Sequence, residues 1–280
     1  MSGVEWAVGA SVLIAAFGLA IGSFLNVVAY RVPLGLSVVS PASACPGCGN
    51  EIQARDNVPL LSWIVLRGKC RHCAEPISPR YIIVEAITGA AFVVVALHFL
   101  PALLGALTAT AAISAGLVLV AFLYLAAITV ALSAIDIDVH KLPNRIVLPS
   151  YAVGGVLLGA AALVSWDLES LARAAAGSGI LVVFYLVLAL IKPGGMGMGD
   201  VKLAGVLGLF LGYLGWAQLL TGAMGAFLLG GLFGIGVLIV RRGRAGRGIP
   251  FGPWMFAGAW LGIFAGDTVV GAYLTAVGLS

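Results

Sequence analysis

The chain has 280 residues, of which 61% are hydrophobic and 9% are charged, and its mean hydropathy is +1.13. A soluble domain needs roughly 25% charged residues to cover its surface. The composition therefore excludes an ordinary soluble domain and predicts a polytopic membrane protein.

The amino terminus lacks the features of a cleavable signal peptide. Its first residues, MSGVEW, include Glu5 but no Lys or Arg, so the positive region that precedes the apolar core of a signal peptide is missing. We expect the first apolar segment to remain as a transmembrane helix.

Eight apolar runs have lengths near the ~20 residues that span a bilayer. Polar residues or Pro and Gly separate them, and only Gln218 marks the boundary between the sixth and the seventh. Residues 101–110 either extend the third span or lie along the membrane surface. The predicted spans are residues 6–29, 82–100, 111–135, 146–165, 171–191, 201–216, 218–240 and 252–277.

Basic residues concentrate in four loops that all face the cytoplasm if the amino terminus lies outside. These loops and their flanks hold fourteen of the fifteen basic residues, with Arg173 as the exception. This asymmetry follows the positive-inside rule and supports the number of spans. The net charge of +4 thus reflects topology and does not indicate nucleic-acid binding. The four loops are residues 31–80, 136–145, 192–200 and 241–251, and the outer side receives Glu5, Asp167, Glu169 and Asp267.

The loop at residues 31–80 contains all four cysteines of the chain. They form two pairs, CPGC at 45–48 and CRHC at 70–73, separated by 21 residues. Two such pairs supply the four thiolates of a tetrahedral structural zinc site, so Cys45, Cys48, Cys70 and Cys73 are the predicted ligands. Redox cysteines or free thiols are the alternative, although structural disulfides are rare in the cytoplasm that the topology assigns to this loop.

Two aspartates lie where predicted spans meet the cytoplasmic edge of the membrane. Asp136 ends the third span and Asp200 opens the sixth, 64 residues later. Two carboxyl groups that approach closely share a proton, which is what an aspartyl protease needs to activate water. The alternative is that each aspartate only caps a helix or pairs with a nearby lysine, as Asp200 would with Lys202.

Several motifs in a fixed order resemble those of type IV prepilin peptidases, the membrane aspartyl proteases of pilus and type II secretion systems. A GxGD motif alone is weak support, but the ordered set covers nearly the whole chain. It consists of GSFLNVVAYRVP (22–33), both cysteine pairs, DNVPLLSWIVLRGKC (56–70), ISPRYIIVEAITG (77–89), DIDVHKLPN (136–144), GMGDVKL (197–203) and IPFGPW (249–254).

The resemblance implies that Asp136 and Asp200 are the catalytic residues. Asp138 is the rival of Asp136, but it lies about 200° around the helix and further towards water, so only one of the two can face Asp200. The resemblance also implies that Gly68 and Lys69 take part in methyl transfer. Glu85 either contacts substrate or methyl donor or extends towards Arg80.

The implied activity has two steps. The enzyme removes the short basic leader of prepilins or pseudopilins on the cytoplasmic side, after a glycine. Members with the cysteine domain then methylate the new amino terminus with S-adenosylmethionine. Because both cysteine pairs are present, we expect both activities, together with a structural zinc ion and S-adenosylmethionine as cosubstrate.

The predicted architecture is an all-α membrane protein of about eight transmembrane helices in the bacterial inner membrane. We expect a first helix (1–30), a cytoplasmic zinc-binding and methyltransferase-associated domain (31–80) and a seven-helix peptidase domain (81–280). The expected partners are prepilin substrates and the lipid bilayer, with no nucleic acid. A peptidase without methyltransferase activity is an alternative, and so is a transporter, although no inverted repeat is found.

Overall fold

The computed structural model describes residues 3–192, 195–240 and 249–279, with side chains from residue 9 onward. Within these ranges the chain forms nine α-helices and no β-strand. The Glu5 side chain and the arginines at 241, 242, 244 and 247, which contribute to the predicted topology, lie outside the described residues. The helices are α1 (Gly3–Arg31), α2 (Leu61–Val65), α3 (Arg80–Leu104), α4 (Ala109–Val139), α5 (Asn144–Ser165), α6 (Leu168–Ile191), α7 (Met198–Leu214), α8 (Trp216–Val240) and α9 (Gly252–Ala276).

The predicted all-α membrane fold is confirmed, with one long helix for each predicted span. Seven of the described helices are long and apolar enough to cross a membrane. The eighth, α7, has 17 residues and is therefore about 25 Å long. That is slightly shorter than the ~30 Å hydrocarbon core of a typical bilayer.

The break between α7 and α8 lies at Gly215 and not at Gln218, the residue predicted to separate the two spans. The N–H of Gly215 donates to the carbonyl of Leu211 and closes α7, and α8 begins at the next residue. Gln218 lies inside α8, where its amide donates to Asp267 at 2.8 Å. A polar residue that finds a partner on a neighbouring helix does not interrupt a membrane helix.

The first of two compact units covers Met1–Ile135 and is organised around α1 and α3. Asn26 of α1 is buried, and its side-chain amide donates to the carbonyl of Tyr81 in the first turn of α3, at 3.2 Å. The cysteine-containing segment with α2 connects these two helices. The predicted place of the cysteine cluster, between the first two long helices, is therefore confirmed.

The second unit covers Asp136–Ser280, and α7 lies at its centre in contact with α5, α6, α8 and α9. Phe210 and Leu203 of α7 are fully buried. Helices α6 and α7 approach so closely that a Cβ on Gly177 would lie 2.6 Å from the carbonyl oxygen of Gly208. Small residues allow membrane helices to pack closely where no hydrophobic force drives association.

The start of α6 explains the one basic residue that departs from the predicted sidedness. Arg173 forms an ion pair with Glu169 one turn earlier, and it also donates to the hydroxyl of Ser170 at 2.7 Å. Asp167 caps the same helix by accepting from the N–H of Ser170 at 3.0 Å. Arg173 therefore belongs to a local polar group that neutralises its charge.

Candidate active site

Asp136 is buried in the last turns of α4, with 6% of its surface exposed. Its Oδ2 accepts a hydrogen bond from the N–H of Gly252, at 2.9 Å. Gly252 is the first residue of α9, and a Cβ there would lie 2.8 Å from the same oxygen. This carboxyl group is therefore positioned by a helix start that has no room for a side chain.

Asp200 is half-buried in the first turn of α7. Its Oδ2 accepts the N–H of Gly197 at 3.0 Å, so the side chain caps its own helix. The alternative pairing with Lys202 is not found, because the Lys202 ammonium donates to Oδ1 of Asn144 at 3.1 Å. The carboxyl group of Asp200 thus has a single backbone partner and no cation bound to it among the described residues.

The fold brings the two carboxyl groups close enough to interact electrostatically. Leu142, in the connection after α4, packs against both glycine-containing helix starts. A Cβ on Gly252 would lie 3.3 Å from its side chain, and a Cβ on Gly199 would lie 3.0 Å from it. Two aspartates that are 64 residues apart in the sequence therefore share one site.

Asp138 is exposed, in contrast to Asp136 two residues earlier. It lies on the wall of an open groove of about 760 Å³, together with His140, Phe233 and Trp254. The helix periodicity that separates the two aspartates thus places one of them in the interior and the other at a surface.

His140 follows the last residue of α4 and binds the backbone of Asp136. Its backbone is in the left-handed region at φ +53°. Both its N–H and its Nδ1 lie 2.9 Å from the carbonyl oxygen of Asp136. The residue therefore fixes the end of the helix that carries Asp136.

The four cysteines come together as a cluster of free thiols. Their Sγ atoms all lie within 4.8 Å of one another, and those of Cys45 and Cys73 are 3.7 Å apart. The two pairs fold alike, since the Cys45 carbonyl accepts from Gly49 and the Cys70 carbonyl accepts from Ala74. Hydrogen bonds from the backbone of Cys73 and of His72 lower the pKa of the Cys70 thiol. The cluster is thus suited to hold a metal ion.

Gly68 and Lys69 lead into the second cysteine pair. Gly68 is buried at φ +66°, and a Cβ there would lie 2.8 Å from the ring of Trp63. Its carbonyl accepts the N–H of Ile77 at 2.7 Å. The Lys69 side chain is exposed. A side chain at position 68 would be strained both by its backbone and by the indole.

Glu85 binds the loop that leads into α2. It is 7% exposed, and its Oε2 accepts the N–H of Leu60 at 2.8 Å. Leu60 precedes α2 and has a left-handed φ of +59°, which is uncommon for leucine. The carboxylate on α3 therefore holds the strained entry to α2. This backbone partner of Glu85 was not among the predicted ones.

A cleft of about 330 Å³ lies between α1 and the loop in the first unit. Its lining combines apolar side chains with a guanidinium, hydroxyls and an amide. Neither Gly68 nor Lys69 is part of the lining. The polar groups and the one aromatic ring belong to Ser23, Phe24, Arg31, Ser43 and Asn57.

Comparisons with known proteins agree with the motifs. A family model described as the bacterial peptidase A24 N-terminal domain matches residues 16–99, and one described as the type IV leader peptidase family matches residues 123–235. Curated proteins named prepilin leader peptidase/N-methyltransferase are similar along nearly their whole length. That of Aeromonas hydrophila is 35% identical, covering 94% of this chain and 93% of its own.

Relatives with the same name occur in distant bacteria. The Pseudomonas aeruginosa protein is 34% identical, covering 93% of this chain and 92% of its own, and the Bacillus subtilis protein is 31% identical, covering 92% and 95%. No solved structure matches the chain. The paired aspartates, the cysteine cluster, the matched family models and these relatives agree, and the chain belongs to the type IV leader peptidase family.

Proposed function

We propose that the chain removes the leader of type IV prepilins or pseudopilins by aspartyl-dyad hydrolysis and then methylates the new amino terminus. The observation that carries the proposal is the convergence of Asp136 and Asp200 from α4 and α7. The names of the relatives indicate the same two activities. The resemblance further suggests a basic leader that ends in glycine.

The chemistry of the dyad follows from two carboxyl groups that share one proton. The ionised group takes a proton from water as the water oxygen attacks the carbonyl carbon of the scissile peptide. The protonated group gives its proton to the carbonyl oxygen. When the intermediate collapses, the C–N bond breaks and the leaving nitrogen takes the proton that the first carboxyl group had removed from water. A hydroxyl of the intermediate returns its proton to the second carboxyl group, which regenerates the shared-proton state.

The chain is a multi-pass protein of the bacterial inner membrane. We propose that its amino terminus lies outside and that its cysteine module lies in the cytoplasm. The distribution of fourteen of the fifteen basic residues supports this orientation. Prepilins made in the cytoplasm would then meet the dyad on the side where the leader is located.

For the metal, we propose a structural zinc ion held by Cys45, Cys48, Cys70 and Cys73. A Zn–S bond of about 2.3 Å in a tetrahedron places the sulfurs about 3.8 Å apart. The 3.7 Å between the sulfurs of Cys45 and Cys73 fits that value. Because four thiolates fill the coordination shell, the ion would hold the two turns together and would not bind substrate.

We propose that the methyl donor binds in the cleft of the first unit. S-adenosylmethionine would supply the electrophilic methyl group. We assign residues 31–80, which hold the four cysteines, to methyl transfer and residues 81–280, which hold Asp136 and Asp200, to proteolysis. The Arg31 guanidinium is suited to a carboxylate, the Phe24 ring to a stacked base, and Asn57 to polar edges. Gly68 and Lys69 would act from outside this cleft, by shaping the loop or by charge.

Mass spectrometry of a model prepilin incubated with the protein and S-adenosylmethionine tests both steps. The wild-type protein should yield cleaved, methylated pilin. Asp136→Asn and Asp200→Asn should each yield uncleaved precursor, because an amide cannot share or relay the proton. Such a precursor also stays unmethylated, since its future amino terminus is an amide nitrogen and a poor nucleophile.

The matched control is Asp138→Asn, which makes the same change on the exposed face of α4. It should retain most of the cleavage activity. An inactive Asp138→Asn protein beside an active Asp136→Asn protein would show that the wrong face of the helix has been assigned.

A further inference from the structure

The packing of α6 on α7 places Tyr185 at the level of the proposed dyad. The two helices run antiparallel, and three contacts between them define the register. Going forward along α6, Arg173, Gly177 and Val182 lie in turn beside Gly212, Gly208 and Gly205 of α7. Each step forward on α6 therefore corresponds to a step back on α7. Continued by one turn, this register sets Tyr185 opposite the first turn of α7, which carries Asp200.

The ring of Tyr185 also reaches towards the element that holds Asp136. It is 2% exposed and contacts Phe227 and Phe251, with ring centroids 5.3 Å and 6.4 Å away. Phe251 immediately precedes Gly252, whose N–H binds Asp136. The phenol interacts electrostatically with Asp200. Tyr185 thus lies near Asp200 and contacts the residue that precedes the backbone donor to Asp136.

The hydroxyl of Tyr185 has no hydrogen-bond partner among the described residues. Among the described residues, the polar side-chain atoms that are fully buried and have no partner are Nε of Arg173 and Oγ1 of Thr221. The Tyr185 hydroxyl is not one of them, so it borders open space. A tyrosine with a buried ring normally pairs its hydroxyl within the protein, whereas this hydroxyl faces open space that a substrate group could occupy. By contrast, the hydroxyl of Tyr151 on α5 donates to the carbonyl of Lys202 at 2.6 Å.

We propose that the Tyr185 hydroxyl donates a hydrogen bond to the carbonyl oxygen of the scissile peptide, which makes Tyr185 a third catalytic residue. The inference rests on the proposed proteolytic function. Partial negative charge builds on that oxygen as water attacks and before the aspartate proton has fully moved to it, and a fixed second donor stabilises that charge. The phenol proton stays on Tyr185 throughout, so proton transfer remains with the two aspartates.

Tyr185→Phe tests this assignment through initial rates of prepilin cleavage at several substrate concentrations. Removal of a donor that acts on the transition state lowers kcat by on the order of 10²-fold and leaves KM nearly unchanged. The melting temperature should stay the same or rise, because the substitution removes an unpaired polar atom from an aromatic cluster. The combination of slower chemistry with intact stability is the expected result.

Tyr151→Phe is the matched control, because it removes a hydroxyl that is already paired within the protein. It should lower the melting temperature and leave kcat nearly unchanged. Wild-type kcat in Tyr185→Phe, a rise in KM alone, or a loss of stability that parallels the loss of rate would each overturn the proposal. If the wild-type protein itself leaves prepilin uncut, the proposed function fails instead, and the two failures are thereby distinguished.

Discussion

At the scale of single residues, both proposed catalytic carboxyl groups are positioned by glycine N–H groups at helix starts. Asp136 is bound by Gly252 and Asp200 by Gly197. That Asp136 and Asp138 lie on different faces of α4 could be predicted, because helix periodicity is a local property. The backbone donor to Asp136 could not be predicted, because it lies 116 residues away and nothing in a sequence distinguishes one backbone N–H from another. The only local signal was the GP pair that opens α9.

Gly252→Ala should displace the carboxyl group of Asp136, because the added Cβ would lie 2.8 Å from Oδ2. A shift of about 1 Å in a reacting group can cost on the order of 10²-fold in rate. We expect cleavage to fall by that order while the precursor still binds. Gly271→Ala, in open space on the same helix, is the control for helix propensity. Equal activity of the two variants would contradict the proposed role of Gly252.

At the scale of elements, some contacts of the cysteine module could be predicted from the sequence and others could not. The cysteine cluster follows from spacing, because each CxxC pair forms one tight turn. The support from Glu85 does not, because its partner is the backbone of Leu60 and a backbone group has no sequence signature. Gly68 could be recognised as a turn residue, but its contact with Trp63 depends on the folded loop.

Purified protein should contain about one zinc ion, since four thiolates complete one tetrahedral shell. Removing it with a chelator should abolish methylation and leave cleavage largely intact, because Asp136 and Asp200 belong to the second compact unit. Metal content is measured by elemental analysis, and the two products by mass spectrometry. Lys69→Ala is the companion variant, which should keep the zinc ion and yield cleaved pilin without the methyl group.

Two results would contradict this division of labour. A disulfide between the cysteine pairs in protein matured in the cytoplasm would exclude the metal. Loss of cleavage in stably inserted Lys69→Ala protein that retains zinc would make the loop part of the protease.

At the scale of the whole molecule, the spans could be predicted but their partners could not. The hydropathy of a segment depends only on its own residues, so the eight apolar runs correctly predicted eight long helices. Which helices pair depends on small residues and polar contacts between them, since lipid is as apolar as leucine. The contact between Gln218 and Asp267 is an example, because the sequence analysis took Gln218 for a boundary.

The eight-helix count has a consequence for the two ends of the chain, which should lie on the same outer side. Alkaline phosphatase fused after Ser280 should be active, as should a fusion after Trp166 between α5 and α6. A fusion after Lys141 should be inactive. A carboxyl terminus in the cytoplasm would mean that α7 does not cross the membrane, leaving the seven longer helices as the spans.

The close contact of α6 with α7 also bears on how the protein is made. Helix α7 is short and starts at a carboxylate, so it enters lipid poorly on its own. Its glycine-lined face matches α6, which leaves the ribosome immediately before it. We expect the two helices to insert together as a hairpin, with α6 serving as the intramolecular chaperone of the segment that delivers Asp200.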